Sequence, residues 1–316
     1  MDPLLNVILR HQIYAEGLKA GRQREYLRVI AQLNLALRRE LANVRYDDLG
    51  DMSRRQLDKL LAGLKRAAKT IFDAYLNDMI KWLEDFMHED FEFWQFAFGM
   101  YAADEGEELE EEADEEKTWN AIGAMPMGAN GYAWRIFLAA NGILASNKIA
   151  AMVTQHWANK TKKQELMDAL LGTPEAKLND GLLAKLVRDG NAASNTVIQH
   201  ITANTNAAVA AQWWPEYVWV SVLDNATTEI CRNRNGLKWR YGEGPVPPAH
   251  VGCRSSIIPA TKRSLLDDMP TFKLWAAAQS EAFKDDAFDG KVPSRYENSK
   301  PITLAEYREK RQLIVA

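Results

Sequence analysis

The stretch Trp219–Pro259, WVSVLDNATTEICRNRNGLKWRYGEGPVPPAHVGCRSSIIP, holds both cysteines of the chain and its densest turn chemistry. Tyr217 to Leu223 alternates aromatic and branched residues in the manner of a strand, and Ser255 to Ile258 is a second short β-prone run that Pro259 stops. Asn235-Gly236 is the dipeptide preferred in a two-residue hairpin turn, so Ile230–Arg234 and Leu237–Tyr241 are predicted to pair across it. The expected product is a small antiparallel sheet. Gly242, Gly244, Pro245, Pro247 and Pro248 make a loop too rigid and too poor in donors for regular structure, and it carries His250 and Cys253 back towards the sheet and Cys231.

Cys231, His250 and Cys253 are the soft donors that a structural zinc site uses, but the set is one ligand short. Asp224 or a water is the candidate fourth. The competing reading makes both thiols small buried hydrophobes and bonds His250 to a loop carbonyl. A disulfide between Cys231 and Cys253 is sterically conceivable, but two cysteines without a secretory signal are expected to stay reduced. A cysteine hydrolase, with Cys231 as nucleophile and His250 as base, needs an orienting third group and an oxyanion site that the sequence does not advertise. No cofactor other than this zinc is indicated.

The order Trp219, Leu223-Asp224, Thr227, Cys231, Asn235-Gly236, Pro247-Pro248-x-His250-x-x-Cys253-Arg254 resembles the C-terminal signature of the phage head morphogenesis family, the Mu F-type minor head proteins. Asn195-Thr196 and the Ala/Asn-rich segment through Asn204, Asn206 and Ala210 are similar to the helix that precedes that signature. The resemblance covers roughly the third quarter of the chain. Family members often have Thr-Cys-x-x-Cys where this chain has Thr227-Thr228-Glu229-Ile230-Cys231, and Cys-Arg-Cys where it has Cys253-Arg254-Ser255. Losing both partner cysteines suggests that packing and an Asp224–Arg254 ion pair hold the unit here. The resemblance implies a virion component: a minor capsid protein inside the head near the portal, made in the host bacterial cytoplasm. It would act in capsid assembly, DNA packaging or genome ejection. Its partners would be the portal and other capsid proteins, with packaged DNA as a further candidate, and with neither a membrane nor a small-molecule substrate. Phe272-x-x-Trp275-x-x-x-Gln279, with Thr303-Leu304-x-Glu306, resembles a degenerate form of a tail found beside the signature in some phage proteins.

The chain has 316 residues, 47% of them hydrophobic, which is enough for a sizeable core and more than one domain. Its net charge of −4 gives no sign of a general nucleic-acid binder, yet it hides an uneven distribution. No apolar run reaches membrane-spanning length, and Met1-Asp2-Pro3 lacks the basic flank of a signal peptide.

From Leu4 to about Ala42, apolar residues recur at helical spacing through Leu5, Ile8, Leu9, Ile13, Leu18, Tyr26, Ile30, Leu33 and Leu37. Two helices broken or bent near Gly21 are expected. Between those positions Arg10, Lys19, Arg22, Arg24, Arg28, Arg38 and Arg39 form a basic stripe, either a contact for DNA or the portal or a solvated face. Asp51-Met52-Ser53 offers caps for a long helix from Arg54 to Trp82 or beyond. Phe86–Tyr101 is aromatic-dense and read as core. Asp104–Glu116 is a like-charge block expected to be an exposed or disordered linker, followed by a loop from Ala121 to Gly131. Helices then follow over Tyr132–Trp157 with a kink at Gly142, over Lys160–Leu171, over Asn179–Val187 and over Ser194–Gln212. His88, with the carboxylates around it, and the lone His156 and His200 are read as structural.

The expected fold is mainly α, with long N-terminal helices and a small α+β C-terminal domain whose short antiparallel sheet carries a cysteine-bearing loop. Its divisions are a helical arm (1–102), an acidic and Gly-rich linker (103–131), a head-morphogenesis-like α+β domain (132–262) and a C-terminal tail (263–316). No triad, phosphate-cradling loop or carboxylate pair argues for catalysis. The alternatives are a zinc-dependent hydrolase at Cys231, His250 and Cys253, a toxin-like transferase for which the tail is too short, and a stand-alone DNA-binding protein.

Overall fold

A computed structural model describes residues 3–109, 112–222, 224, 226–262, 271–292 and 299–315. In chain order they form α1 (Pro3–Ala42), α2 (Arg54–Glu105), α3 (Glu115–Ala124), α4 (Trp134–Ala158), α5 (Lys163–Leu171), α6 (Leu182–Ala210), β1 (Glu216–Val220), α7 (Glu229–Arg234), β2 (Lys238–Arg240), β3 (Ser256–Pro259), α8 (Phe272–Ala277), α9 (Glu281–Phe288), α10 (Leu304–Glu309) and α11 (Arg311–Val315). The chain is mainly helical with one small antiparallel sheet, as its sequence predicts. Leu223 of the signature and Glu110 and Glu111 of the acidic block lie outside the described residues.

Two compact units divide the chain: unit 1 comprises residues 1–22, 82–134 and 195–316, and unit 2 comprises 23–81 and 135–194. The expected linker, 103–131, falls within the continuous block 82–134 of unit 1.

Unit 2 is a helical body whose apolar residues follow the helix period. Tyr26, Ile30, Leu33, Leu37 and Leu41 of α1 meet Leu57, Leu60, Leu64 and Phe72 of α2, with Ile149 and Val153 of α4 and Leu166 and Leu170 of α5. Trp157 donates to the Met52 carbonyl at 2.9 Å and Lys163 to that of Val44 at 3.0 Å, fixing the connection between α1 and α2.

Unit 1 is built around the aromatic half of α2. Phe91, Phe93, Trp94 and Phe98 are buried, as expected of a core segment, whereas Phe96 is exposed. Asp90, at 0% exposure, gathers four donors from four elements. His11 of α1 (2.6 Å) and Tyr307 of α10 (3.1 Å) bond one oxygen, and Trp94 of α2 (3.2 Å) and Thr202 of α6 (2.6 Å) bond the other. The acidic block is partly helical: α2 runs to Glu105, Asp114 caps α3 by accepting from the Lys117 amide at 2.7 Å, and the helix continues into the stretch expected as loop.

Three expected interruptions are absent, and each has the same cause. Helix α1 runs unbroken through Gly21, because a Cβ there would come within 2.4 Å of the Ile302 carbonyl oxygen, and the bare backbone is the seat for the C-terminal segment. The Ile302 amide donates to the Gly17 carbonyl at 3.0 Å on the same track. Gly142 leaves α4 whole and makes room for Phe72. Helix α6 joins the two segments expected as separate, with the Tyr26 ring lying against Gly190. Helix α4 also departs from the expectation that no run reaches membrane-spanning length. It is long and apolar enough to cross a membrane by length and composition, with a window mean hydropathy of 1.5 of which 28% is buried in the molecule.

The predicted hairpin does not form. Residues 229–234 make the short helix α7, in which Cys231 is buried and its neighbours are exposed. Asn235-Gly236 ends that helix, with Gly236 at φ +81°. The strand after it, β2, pairs with β1 instead: Tyr217 faces Trp239, and on the other edge Trp219 faces Ile257 of β3. The sheet order is β2-β1-β3, so the buried strand β1 is central.

Candidate metal and structural centre

The loops that return from this sheet bring the signature residues together. The Trp219 indole donates to the Ser221 hydroxyl at 2.9 Å, which in turn donates to the Cys231 carbonyl at 2.7 Å. Asn235 accepts from the Ser221 amide at 2.8 Å, and the Gly236 amide donates to the Trp219 carbonyl at 2.9 Å, which ties α7 to β1. The Thr227 hydroxyl donates to the Val222 carbonyl. The Pro247–Pro248 peptide is cis. The loop that follows is anchored by the Gly252 amide, which donates to the Thr196 hydroxyl of α6 at 3.0 Å.

Arg254 grips Asp224 with two hydrogen bonds, of 2.6 and 2.8 Å, and both side chains are largely buried. Burial alone would raise the Asp224 pKa, but the Arg254 hydrogen bond and charge outweigh it and hold the carboxyl below its usual range. This is the pair that the sequence suggested. It also removes Asp224 as a fourth zinc ligand, because both of its oxygens are engaged.

Cys231, His250 and Cys253 do converge, with donor atoms all within 4.8 Å of one another. The two sulfurs are 3.7 Å apart, and Cys231 Sγ is 3.3 Å from His250 Nε2. Tetrahedral zinc, with bonds of about 2.3 Å to sulfur and 2.0–2.1 Å to nitrogen, needs separations of roughly 3.5–3.8 Å; the two sulfurs meet this, and the Cys231–His250 distance falls slightly short of it. His250 Nδ1 bonds the Val251 carbonyl at 2.9 Å. A carbonyl only accepts, so the ring proton sits on Nδ1 and Nε2 presents its lone pair to Cys231 Sγ and the Thr228 hydroxyl. This is the outer-sphere arrangement that orients a metal-binding histidine.

The Thr228 hydroxyl, 2.8 Å from Nε2, is the polar group beside this centre that the sequence reading missed. No spacing rule marks a threonine for that role. The adjoining cavity, lined by Thr228, Cys231 and His250, measures about 10 Å³, roughly the space of a single water. Without metal the thiols form a coupled pair. Cys253 is pulled down by the hydrogen bond from Cys231 and by backbone donors, and Cys231 is pushed up by that bond and by burial.

The basic stripe divides. Arg10, Lys19 and Arg22 are buried in unit 1 and are not a contact surface. Arg10 donates to Gln279 at 2.9 Å and to the Leu313 carbonyl, Lys19 bonds Glu16 and Gln199 at 2.6 Å, and Arg22 lies over the Trp82 ring. Arg24, Arg28, Arg38 and Arg39 are exposed on unit 2. That unit carries 20 Lys and Arg against 13 Asp and Glu, whereas unit 1 carries 19 against 30. His200 is buried beside the Ile122 carbonyl and Asn204, and burial lowers its pKa to about 4, which fits a structural, neutral imidazole.

No protein-family model, curated protein or solved structure matches this chain.

Proposed function

We propose that this chain is a minor capsid protein of the head morphogenesis kind, working inside a phage head near the portal by binding rather than by catalysis. One observation carries the reading. The residues behind the resemblance, Trp219, Asp224, Thr227, Cys231, Asn235, Gly236, Pro248, His250, Cys253 and Arg254, are spread over 36 positions yet lie in one sheet-and-loop unit. Residues that only pack and pair with one another make a scaffold. Cys231, His250 and Cys253 would hold a zinc ion there, which would cross-link α7 to the return loop. A cavity the size of one water leaves no room for a substrate beside it, which favours a structural centre over a hydrolase. The test is co-purification: the protein should sediment with portal-bearing procapsids and be absent from portal-free shells.

A second reading, DNA binding, draws support from the positive unit 2 and its exposed arginines. It requires retention on duplex DNA without portal, with affinity falling steeply as salt rises.

A further inference from the structure

The chain has two cysteines in all, and the fold sets them side by side. Cys231 Sγ, on the short helix α7, is 3.7 Å from Cys253 Sγ, on the return loop. Both are free thiols, and both are buried, with 2% and 1% of their surface exposed. A disulfide holds its sulfurs about 2.05 Å apart, so an approach of about 1.7 Å would join them. No third cysteine competes, and burial keeps either sulfur from a second copy of the chain.

The two thiols differ in access. The cavity of about 10 Å³ is walled by Thr228, Cys231 and His250 but not by Cys253, and Ala226 and Thr228 at its edge are exposed. A space that holds one water admits a reagent as small as hydrogen peroxide and shuts out one as large as oxidised glutathione. His250 Nε2 lies 3.3 Å from Cys231 Sγ, placed to take the thiol proton as the sulfur attacks.

We infer that Cys231 and Cys253 form a modification site for hydrogen peroxide, which closes them to a disulfide in two steps. First the Cys231 sulfur attacks one peroxide oxygen and the O–O bond breaks. The thiol proton passes by way of His250 to the leaving hydroxide, giving a sulfenic acid and water. The Cys253 sulfur then attacks the sulfenic sulfur, and its proton leaves with the hydroxyl as a second water. Two electrons pass from the thiols to the peroxide. The disulfide would tie α7 to the return loop through the same two sulfurs that zinc would use, so metal and oxidation exclude one another. The inference does not rest on the head-protein reading, and its test uses metal-free chain, so a failure to bind zinc leaves it standing.

Hydrogen peroxide added to the chelator-treated full chain should remove both free thiols and lower the intact mass by two hydrogens. Peptide mapping should find Cys231 cross-linked to Cys253, and dithiothreitol should reopen the link. Oxidised glutathione should leave both thiols free over the same time. In Cys253→Ser the reaction should stop at a sulfenic acid on Cys231, which dimedone traps; the wild-type map decides the matter if that variant does not fold. Thiols that survive peroxide, sulfinic acids without a cross-link, or equal loss of thiols to oxidised glutathione would overturn the proposal.

Discussion

Arg254 holds Asp224 by a two-pronged ion pair that joins the residue after the proline corner to the turn after β1, thirty positions apart. Truncating Arg254 strands a largely buried carboxylate, a defect worth about 3–5 kcal/mol. Arg254→Ala should lose about that much in a denaturant melt. Replacing both partners by neutral residues should lose less, and an unchanged Arg254→Ala midpoint would show that the pair is not structural.

Asp90 and Tyr307 make the corresponding joint for the C-terminal helices. In Asp90→Ala the donors on His11, Trp94, Thr202 and Tyr307 would all lose their acceptor. A loss of more than about 3 kcal/mol is expected, since each buried unsatisfied group costs about 1–3 kcal/mol. Hydrogen exchange should also show α10 opening more readily.

Gly21→Ala reverses an ordinary rule. In an exposed helix the change stabilises by about 1 kcal/mol, but here the new methyl group would meet the Ile302 carbonyl. Thermal melts should show a destabilisation of about 1–3 kcal/mol, the usual range for overpacking. A more stable variant would mean that the C-terminal segment does not lie on α1.

His200 sets an expected pH dependence. Its pKa falls from 6.5 to about 4 on folding, so between those values the unfolded chain binds a proton that the folded chain does not. Its contribution is present above about pH 6.5 and is lost as pH falls towards 4, a loss of about 3 kcal/mol at about 1.36 kcal/mol per unit. Denaturant midpoints measured across that window should slope downward with acid, and His200→Gln should flatten the slope. Asp224, held below its usual range, adds a further loss only at lower pH.

Zinc added to the chelator-treated chain should bind one-to-one and raise the melting temperature, and Cys253→Ser should abolish the tight site. A chain whose melting is indifferent to zinc would leave the centre as a packed thiol pair.

The period of the apolar residues made most of the helices legible, because Tyr26, Ile30, Leu33 and Leu37 repeat where a helix face must. Chemistry that depends on distant partners was not legible. Asn235-Gly236 looked like a hairpin turn because that signal is local, whereas β2 finds its partner 22 positions upstream at Tyr217–Trp239. Gly21 looked like a break because nothing nearby announces the Ile302 carbonyl that needs its missing side chain. Arg10 and Lys19 looked like surface cations because Gln279 and Gln199, which meet them in the interior, are far along the chain. At the candidate centre the three soft donors were readable by type and order, while Thr228 was not.

The most direct test of the head-protein reading is the protein content of purified particles made with and without portal. Quantitative mass spectrometry should find this chain at a fixed ratio to portal in the first and missing from the second. Its equal presence in both, or its absence from mature particles and procapsids alike, would contradict the reading.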